Sequence, residues 1–239
     1  MSVRRSSGQR PDHTFPVARS PRTSPAKPDF WDEATRALGR RDRVLRRLIR
    51  AHPDIHLVRR GDPFTTLARA IVGQQISVKA AAAIWERVLA VAASAKKAPG
   101  APGLDARRVA ATDRTLLRGC GLSQRKAEYL GDLAAHFVSG RLDPRQWSAL
   151  DDEALIVALV DVKGIGRWTA EMFLMFHELR ADVLPVDDVG LQKAIALHYN
   201  DGERMTPAAM RELALAWQPW RSVATWYLWR SLDPIPVEY

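Results

Sequence analysis

The chain has 239 residues, of which 46% are hydrophobic and 26% charged, and its formal net charge is +9. This composition is typical of a globular protein, and the length is sufficient for one domain or two small lobes. A single cysteine, Cys120, excludes an internal disulfide, a four-cysteine zinc site and a cysteine-ligated iron–sulfur cluster. No apolar run is long enough to cross a membrane and no secretory signal is evident, so the sequence predicts an intracellular protein without a membrane partner.

Residues 1–28 form a segment rich in proline, serine and arginine. It carries six basic residues and one acid, Asp12, so +5 of the total charge lies here and the remaining +4 lies on residues 29–239. A segment this polar buries too little apolar surface to fold, and we predict a disordered basic tail. A solubilising role is favoured for this tail over a non-specific tether to phosphate groups, and the charge alone is therefore weak evidence for a polyanionic partner.

The spacing of apolar residues predicts helices from residue 29 onward, and no segment alternates in the manner of a β-strand. The predicted fold is therefore all-α, with a flexible loop at 96–103. Helix ends are marked by Asp62-Pro63, Ser77, Ser123, Thr206-Pro207 and the glycines at 73 and 140. The predicted helices span 35–52, 63–73, 78–93, 124–138, 151–160, 167–176, 207–217 and 220–232, the last ending before Pro234, with one more that begins at Asp187 or Asp188.

The stretch VKGIGRWTAEMF, residues 162–173, places Gly164 and Gly166 one residue apart between two predicted helices. A dinucleotide-binding turn is excluded, because that fingerprint follows a β-strand and carries a third glycine. Two interpretations stay open. The turn is either a plain corner between two helices or a helix-hairpin-helix whose backbone amides bind a phosphate, flanked by Lys163 and Arg167.

Five blocks follow one another along the chain: IVGQQIS at 71–77, GLSQRKAEYL at 121–130, VKGIGRWTA at 162–170, LPVDDVGLQKAI at 184–195 and WQPWRSVATWYLW at 217–229. In this order they resemble the helix-hairpin-helix/GPD superfamily of DNA base-excision glycosylases, and most of all its alkylation-repair branch, DNA-3-methyladenine glycosylase II. The resemblance implies a two-lobed helical bundle over 29–239 with the catalytic cleft between the lobes. The chain resembles the compact members of the family, since its 239 residues are too few to include the N-terminal β-rich domain of the larger bacterial members as well.

The resemblance places the catalytic carboxylate at Asp188. Cleavage of an N-glycosidic bond passes through an oxocarbenium-like sugar, which a carboxylate near C1′ stabilises while it orients or activates the attacking water. Asp187 is then the cap of the following helix or a supporting group, since the two side chains diverge at a helix start. Without the resemblance, both acids are better explained as groups that only cap the helix and complement its dipole.

Trp168 bears on the outcome of the reaction. Relatives that also cut the DNA strand carry a lysine two residues after the second hairpin glycine, and that lysine attacks C1′ to form a Schiff base. In this chain the place is taken by Trp168, whose indole is not a nucleophile toward C1′. The resemblance therefore implies a monofunctional glycosylase that leaves an abasic site, without a lyase step.

An alkylated purine is cationic, and once flipped out of the duplex it would bind in an electron-rich aromatic pocket. The resemblance assigns Trp168, Met172 and Trp229 to this pocket, although large aromatic residues more often belong to the core. It assigns Gln75 to the wedge that enters the vacated duplex position; the alternative is that Gln74 and Gln75 are surface amides. The residues implied to contact the DNA backbone are Lys163, Gly164, Ile165, Gly166, Arg167 and Thr169.

The implied activity is base-excision repair of double-stranded DNA by a monomeric hydrolase that releases bases of the 3-methyladenine and 7-methylguanine type. Two alternatives stay open: a glycosylase for uracil, hypoxanthine or an oxidised purine, and a non-catalytic helix-hairpin-helix DNA-binding protein. No metal or organic cofactor is predicted, because the six histidines lack metal-ligand spacing. A structural monovalent cation held by hairpin carbonyls is a family expectation. The expected location is the bacterial cytoplasm and nucleoid, or the nucleus in a eukaryote.

Overall fold

The computed structural model describes residues 27–93 and 103–232, and these residues form twelve α-helices. Two 3₁₀ segments, Pro144–Ala149 and Ala214–Trp217, accompany them, and the only β-type pairing in the described residues is an isolated bridge between Ala93 and Leu104. The prediction of an all-α fold is confirmed. The helices are α1 (Trp31–Arg41), α2 (Arg43–Ala51), α3 (Pro63–Gly73), α4 (Val78–Ala92), α5 (Ala106–Ala111), α6 (Arg114–Gly119), α7 (Gln124–Ser139), α8 (Asp152–Val160), α9 (Arg167–Phe176), α10 (Val189–Tyr199), α11 (Pro207–Leu213) and α12 (Arg221–Leu232).

Some predicted segments fall outside the described residues. They are nearly all of the tail at 1–28, most of the loop at 96–103, and the stop at Pro234. Within the described segments, no helix combines the length and the apolar character needed to span a bilayer.

The local signals in the sequence mark several helix ends correctly. The side chains of Asp62, Ser77 and Ser123 each accept a hydrogen bond from a backbone amide in the first turn of α3, α4 and α7, respectively. Gly140 ends α7 in the left-handed conformation at φ +78°, which glycine adopts without steric cost. These ends depend on contacts within a few residues, and this is why the sequence reveals them.

The single helix predicted over 35–52 is wrong, because the chain turns a corner at Asp42 and forms α1 and α2. Asp42 has an extended backbone, and its Oδ1 accepts hydrogen bonds from the amides of Val44 and Leu45 at the start of α2. Its Oδ2 accepts from the Tyr199 hydroxyl at 2.9 Å and from the Trp217 indole at 3.0 Å. The break is therefore stabilised by residues more than 150 positions away in the chain.

The helices pack in two groups around a continuous hydrophobic core. In the first group α3 packs on α4 and α7, and α7 also packs on α5 and α6. In the second group α12 packs on α1, α2 and α10. The pair α8–α9 adjoins the first group through α3, and a side chain of α9 bonds to the start of α10. Helix α9 thus links the two groups.

His177, which follows α9, is a buried titratable residue of the core. It is 2% exposed, its ring stacks on Phe173 with 4.7 Å between centroids, and its Nδ1 lies 2.7 Å from the Arg60 carbonyl oxygen. Burial lowers the pKa of His177, and the hydrogen bond to Arg60 opposes this only in part. The folded protein therefore binds a proton at this site less readily than the unfolded chain does.

We expect the free energy of unfolding to decrease as the pH falls from about 7.5 to about 5.5, because the unfolded chain takes up a proton at His177 near a pKa of about 6.5 and the folded chain does so only at lower pH. One such group changes the free energy by at most about 1.4 kcal/mol per pH unit. Chemical denaturation over this pH range should give a shallower dependence for His177→Gln than for the wild type. Equal pH dependence in the two proteins would contradict the assignment. His198, whose pKa burial also lowers, is present in both.

Candidate active site

Asp188 lies at the N-terminus of α10, and its carboxylate is enclosed by side chains of α9 and α12. Oδ1 accepts hydrogen bonds from the Leu191 amide at 2.6 Å and from the Trp229 indole Nε1 at 2.8 Å. Oδ2 accepts from the Trp168 indole Nε1 at 3.0 Å. The residue is only 9% exposed. Three donors and the positive end of a helix dipole thus hold one carboxylate in a fixed orientation between two indoles.

Asp188 is itself the cap of α10, and the interpretation of Asp187 as the cap is wrong. The Asp188 side chain accepts the amide hydrogen bond of the first helical turn, whereas Asp187 is exposed one residue earlier. A carboxylate has about four acceptor positions, and three of those on Asp188 are occupied by described residues. The remaining one is on Oδ2, which also bonds the more exposed tryptophan. Oδ2 is therefore the oxygen available to a reacting group.

The two tryptophans differ in how much surface they offer. Trp168 is 40% exposed, whereas Trp229 is 9% exposed and stacks on Phe176 with 5.9 Å between ring centroids and 10° between planes. Met172, one turn after Trp168, is half-buried and packs against the core. The assignment of these residues to a base pocket stays a prediction. The two tryptophans have a second role, which the sequence did not indicate: the indole of each donates a hydrogen bond to Asp188.

Gly190, in the first turn of α10, is a site residue that the sequence analysis missed. A Cβ at this position would lie 3.1 Å from Oδ1 of Asp188 and 3.2 Å from Cδ1 and Nε1 of Trp229. A methyl group at this position would require the Trp229 indole or the Asp188 carboxylate to move by a few tenths of an ångström. A signal was present, since glycine inside a helix costs stability relative to alanine and needs a reason.

We expect Gly190→Ala to reduce base release roughly 10- to 100-fold, because its methyl group displaces the Trp229 indole and shifts Asp188, and small misplacements of reacting groups have effects of this size. Single-turnover release assays and thermal melting measure the effect and confirm folding. Gly39→Ala is the matched control, since a Cβ on that helical glycine meets nothing within 4 Å. Wild-type release by Gly190→Ala would show that the close fit at the carboxylate is not required.

The turn between α8 and α9 has the geometry of a helix-hairpin-helix. Gly164 has φ +85°, and a Cβ there would overlap the ring of Tyr129. The Lys163 amide donates to Asp132 Oδ2 at 2.9 Å. Gly166 precedes α9 and provides no side-chain cap, so the amides of the first turn of α9 are left for an external acceptor. Such an N-terminus favours an anion.

The residues predicted to contact DNA differ in how accessible they are. Lys163 and Gly166 are exposed. Ile165 is 3% exposed and its amide already donates to the Val162 carbonyl at 3.1 Å, so neither its side chain nor its amide is free for DNA, and a contact at this residue stays a prediction. The Thr169 side chain is buried, which leaves its amide in the first turn of α9 as the group able to face a phosphate.

Arg167 is held by two carboxylates. Its Nη1 and Nη2 donate to Glu153 on α8, each at 2.7 Å, and its Nε donates to Glu171 on α9 at 3.1 Å. The hydrogen bonds lower the pKa of Glu153, whereas burial raises the pKa of Glu171 against the opposing charge of Arg167. Arg167 therefore ties the two helices of the hairpin together. Its contact with DNA stays a prediction, and it requires exchange of Glu153 for a phosphate.

The predicted wedge lies in the loop between α3 and α4. Gln75 is exposed there with φ +57°. The preceding Gln74 donates from Nε2 to the Gly164 carbonyl of the hairpin at 2.9 Å. Lys126 donates from Nζ to the carbonyl oxygens of Val72 at 2.8 Å and Gln74 at 2.7 Å, and burial lowers its pKa. The loop is thus fixed to both the hairpin and α7, and insertion of Gln75 into DNA stays a prediction.

One face of α7 supports both the wedge loop and the hairpin. Lys126 holds the wedge loop, the Tyr129 ring covers Gly164, and Asp132 accepts from the Lys163 amide. One turn further, Nε2 of His136 lies 3.0 Å from Oδ2 of Asp161, where the hairpin begins, and this hydrogen bond lowers the pKa of Asp161. The four contacting residues of α7 are spaced by three, three and four positions and therefore share a face: Lys126, Tyr129, Asp132 and His136.

Comparison with known proteins places this arrangement in a family. Residues 68–220 match the model of the HhH-GPD superfamily base excision DNA repair proteins. DNA-3-methyladenine glycosylase 1 of Schizosaccharomyces pombe is 32% identical over 171 residues, which cover 71% of this chain and 72% of that protein. The matched region contains the hairpin, the wedge loop and Asp188.

Two solved structures have the same fold over most of their length. A DNA-3-methyladenine glycosidase from Bacillus halodurans superposes with a TM-score of 0.75 at 34% identity, covering 84% of this chain and 89% of that one. S. pombe 3-methyladenine DNA glycosylase Mag1, solved in complex with abasic DNA, superposes with a TM-score of 0.70 at 28% identity, covering 87% and 98%. The chain therefore belongs to the HhH-GPD superfamily of base excision DNA repair proteins.

Proposed function

We propose that the protein is a monofunctional DNA glycosylase that flips alkylated purines out of double-stranded DNA and releases them, leaving an abasic site. The observation that carries this proposal is the carboxylate of Asp188, held between the indoles of Trp168 and Trp229 at the start of a helix. The relatives named DNA-3-methyladenine glycosylase support the choice of alkylated purines.

In the proposed reaction Asp188 stabilises the charge on the sugar, while the two tryptophans position the carboxylate and bind the base. As the bond between C1′ and the purine nitrogen breaks, positive charge develops on the sugar, and Oδ2 of Asp188 stabilises it. The fixed indole donors keep this oxygen in place, so little reorganisation is needed when the charge appears. Water adds at C1′ from the side that the carboxylate faces, and Asp188 orients it or accepts its proton.

The exposed face of Trp168 suits a cationic purine, since a cation is attracted to an indole ring. Alkylation at a ring nitrogen places positive charge on the base and weakens the bond to C1′, so such bases need less help in leaving. The N–H of the same indole bonds to Asp188, and none of the described hydrogen-bond partners of the carboxylate is a lysine. This arrangement supports release without strand cleavage.

The proposed partner is a damaged DNA duplex, whose backbone binds at the hairpin and into which Gln75 inserts. We propose that the protein acts as a monomer inside the cell. Carbonyl oxygens suit a hard monovalent cation, and the Val162 and Gly164 carbonyls each accept one hydrogen bond and keep a second lone pair. We include a structural cation at these oxygens in the proposal. Within the described residues no cluster of three or more His, Cys, Asp or Glu side chains could hold a metal ion.

The proposal is tested with methylated duplex DNA and with matched duplexes that contain uracil, hypoxanthine or 8-oxoguanine. Chromatography of the released material should detect 3-methyladenine or 7-methylguanine, and the strands should stay intact until alkali cleaves the abasic sites. Strand breaks before alkali would contradict the monofunctional mechanism. Binding to duplex DNA with no release from any of these lesions would identify a non-catalytic DNA-binding protein instead.

A further inference from the structure

The corner between α1 and α2 carries a dense group of arginines that the proposed reaction does not use. Residues 36–50 contain seven arginines and one acid, Asp42. All seven side chains belong to exposed residues, and none forms an ion pair with another described residue. The arginines are Arg36, Arg40, Arg41, Arg43, Arg46, Arg47 and Arg50.

Four of these residues line one face of α2, and we name this face the arginine stripe. They recur at spacings of three, one and three positions, which places them side by side along the helix, while Leu45 and Leu48 on the opposite face are buried. Like charges at these spacings repel and weaken a helix. The arginine stripe consists of Arg43, Arg46, Arg47 and Arg50.

The one acid in this region, Asp42, forms no ion pair with an arginine of the stripe. Both oxygens of Asp42 are directed inward, Oδ1 to the amides of Val44 and Leu45 and Oδ2 to the Tyr199 hydroxyl and the Trp217 indole. Burial and the nearby Asp42 charge raise the pKa of Tyr199, which keeps that hydroxyl a neutral donor. The side-chain hydrogen bonds of Asp42 thus go to neutral donors and not to an arginine of the stripe.

Local contacts account for the position of two stripe residues but leave their charge in place. Arg46 donates to the carbonyls that end α1, and Nη2 of Arg47 lies 3.2 Å from Nδ1 of His198. Arg43 has no side-chain hydrogen bond to a described residue, and it lies at the start of α2, where the helix dipole disfavours a cation. An external polyanion would relieve this repulsion, which no described ion pair relieves within the protein.

The stripe is separated from the candidate active site by the length of α10. Arg47 contacts His198 near the C-terminus of α10, whereas Asp188 caps its N-terminus. Eleven helical residues span roughly 16 Å. This separation is too large for contact with the flipped nucleotide, and it corresponds to about five base pairs of duplex at about 3.4 Å each.

We propose that the arginine stripe is a second DNA-contact surface, which binds the phosphate backbone of duplex DNA away from the damaged base. This inference rests on the proposed function, since it takes DNA as the partner. Guanidinium groups bind phosphates through paired hydrogen bonds and stay charged in every setting a protein offers. Contacts of this kind carry no sequence information, so they hold the protein on undamaged duplex as well.

The test compares two variants that each lose two positive charges. Arg43→Gln/Arg50→Gln removes the arginines at the two ends of the stripe. The control, Arg107→Gln/Arg108→Gln, removes two exposed arginines of α5. Helix α5 lies next to the C-terminal end of α4, whereas the wedge loop lies at the N-terminal end of α4. Affinity for an undamaged duplex of about four helical turns, roughly 40 base pairs, is measured over a range of salt concentrations. The stripe variant should bind roughly tenfold more weakly, and its salt slope should be smaller by about 2, with the control unchanged.

Two further measurements identify the DNA that is bound. A loss of affinity on the long duplex but not on a duplex of about one turn, roughly 10 base pairs, assigns the stripe to the flank of the same molecule. Loss of a labelled second duplex from an immobilised complex assigns it to another molecule, and either result supports the proposal. Equal salt slopes for wild type and stripe variant would overturn it. Release of bases from the short duplex tests the proposed function separately, because Asp188 is intact in both variants.

Discussion

Asp188→Asn is expected to reduce base release by a factor of about 10³ or more, which corresponds to about 4 kcal/mol of transition-state stabilisation. The amide has the size of the carboxylate but no charge to stabilise the developing cation at C1′. Both oxygens of Asp188 accept hydrogen bonds, from the N–H groups of Leu191, Trp168 and Trp229. In asparagine one of these oxygens is replaced by an NH₂ group, which is a donor and cannot accept the same hydrogen bond. The variant therefore loses both the charge and one of the bonds that position the site.

Single-turnover release from methylated duplex, with binding measured in parallel, separates these effects from misfolding. Asparagine caps a helix about as well as aspartate, so α10 should remain and DNA binding should persist. Asp187→Asn is the control, since that exposed neighbour bonds neither indole and should release bases close to the wild-type rate. Full activity in Asp188→Asn would assign the chemistry to another group, and an equal loss in both variants would point to a general effect of charge.

Gly164→Ala is expected to lower the free energy of unfolding by about 2–5 kcal/mol and to abolish tight DNA binding. Alanine is strained at φ +85°, and its Cβ would overlap the Tyr129 ring. The Gly164 carbonyl also accepts from Gln74, so displacement of the turn disturbs the wedge loop as well. One methyl group should thus affect both proposed DNA contacts.

Gly166→Ala separates stability from binding. Gly166 has φ −89°, and a Cβ there meets nothing within 4 Å, so the variant should fold like the wild type. Its methyl group lies beside the amides proposed to face the phosphate, and DNA affinity should fall without loss of stability. Chemical denaturation and duplex affinity are measured for both glycine variants and for Gly164→Ala/Tyr129→Ala, in which removal of the ring relieves the overlap. Wild-type stability of Gly164→Ala would contradict the close contact with Tyr129.

The parts of the molecule that the sequence predicted are those determined locally. The caps Ser77 and Ser123, the left-handed stop at Gly140 and the bend at Gly164 depend on neighbours a few positions away, and each is found as expected. The helix start at Asp187 or Asp188 also follows from such signals, although they do not decide which of the two acids is the cap. A capping residue satisfies the same few amides in any fold, and this is why these predictions needed no knowledge of packing.

The parts that the sequence did not predict depend on partners far along the chain. The indole of Trp229 reaches Asp188 across 41 positions, and the break at Asp42 is stabilised by Tyr199 across 157. The periodic spacing of apolar residues predicts where helices form, but it does not show which distant side chains contact one another. The need for glycine at position 190 likewise becomes visible only once the Trp229 indole is seen against the helix, although a glycine in a helical segment was a signal that a neighbour lies close.

The contacts of α7 fix how far the wedge loop stands from the hairpin. A helix of 16 residues does not stretch, and its side chains hold the loop at Lys126 and the hairpin at Tyr129 and Asp132. The duplex is the softer of the two bodies, particularly at a damaged step. If the protein acts on DNA as proposed, the duplex would therefore undergo the distortion while the protein keeps its shape. A lesion that makes its own strand easier to kink would then be favoured before the protein contacts the base itself.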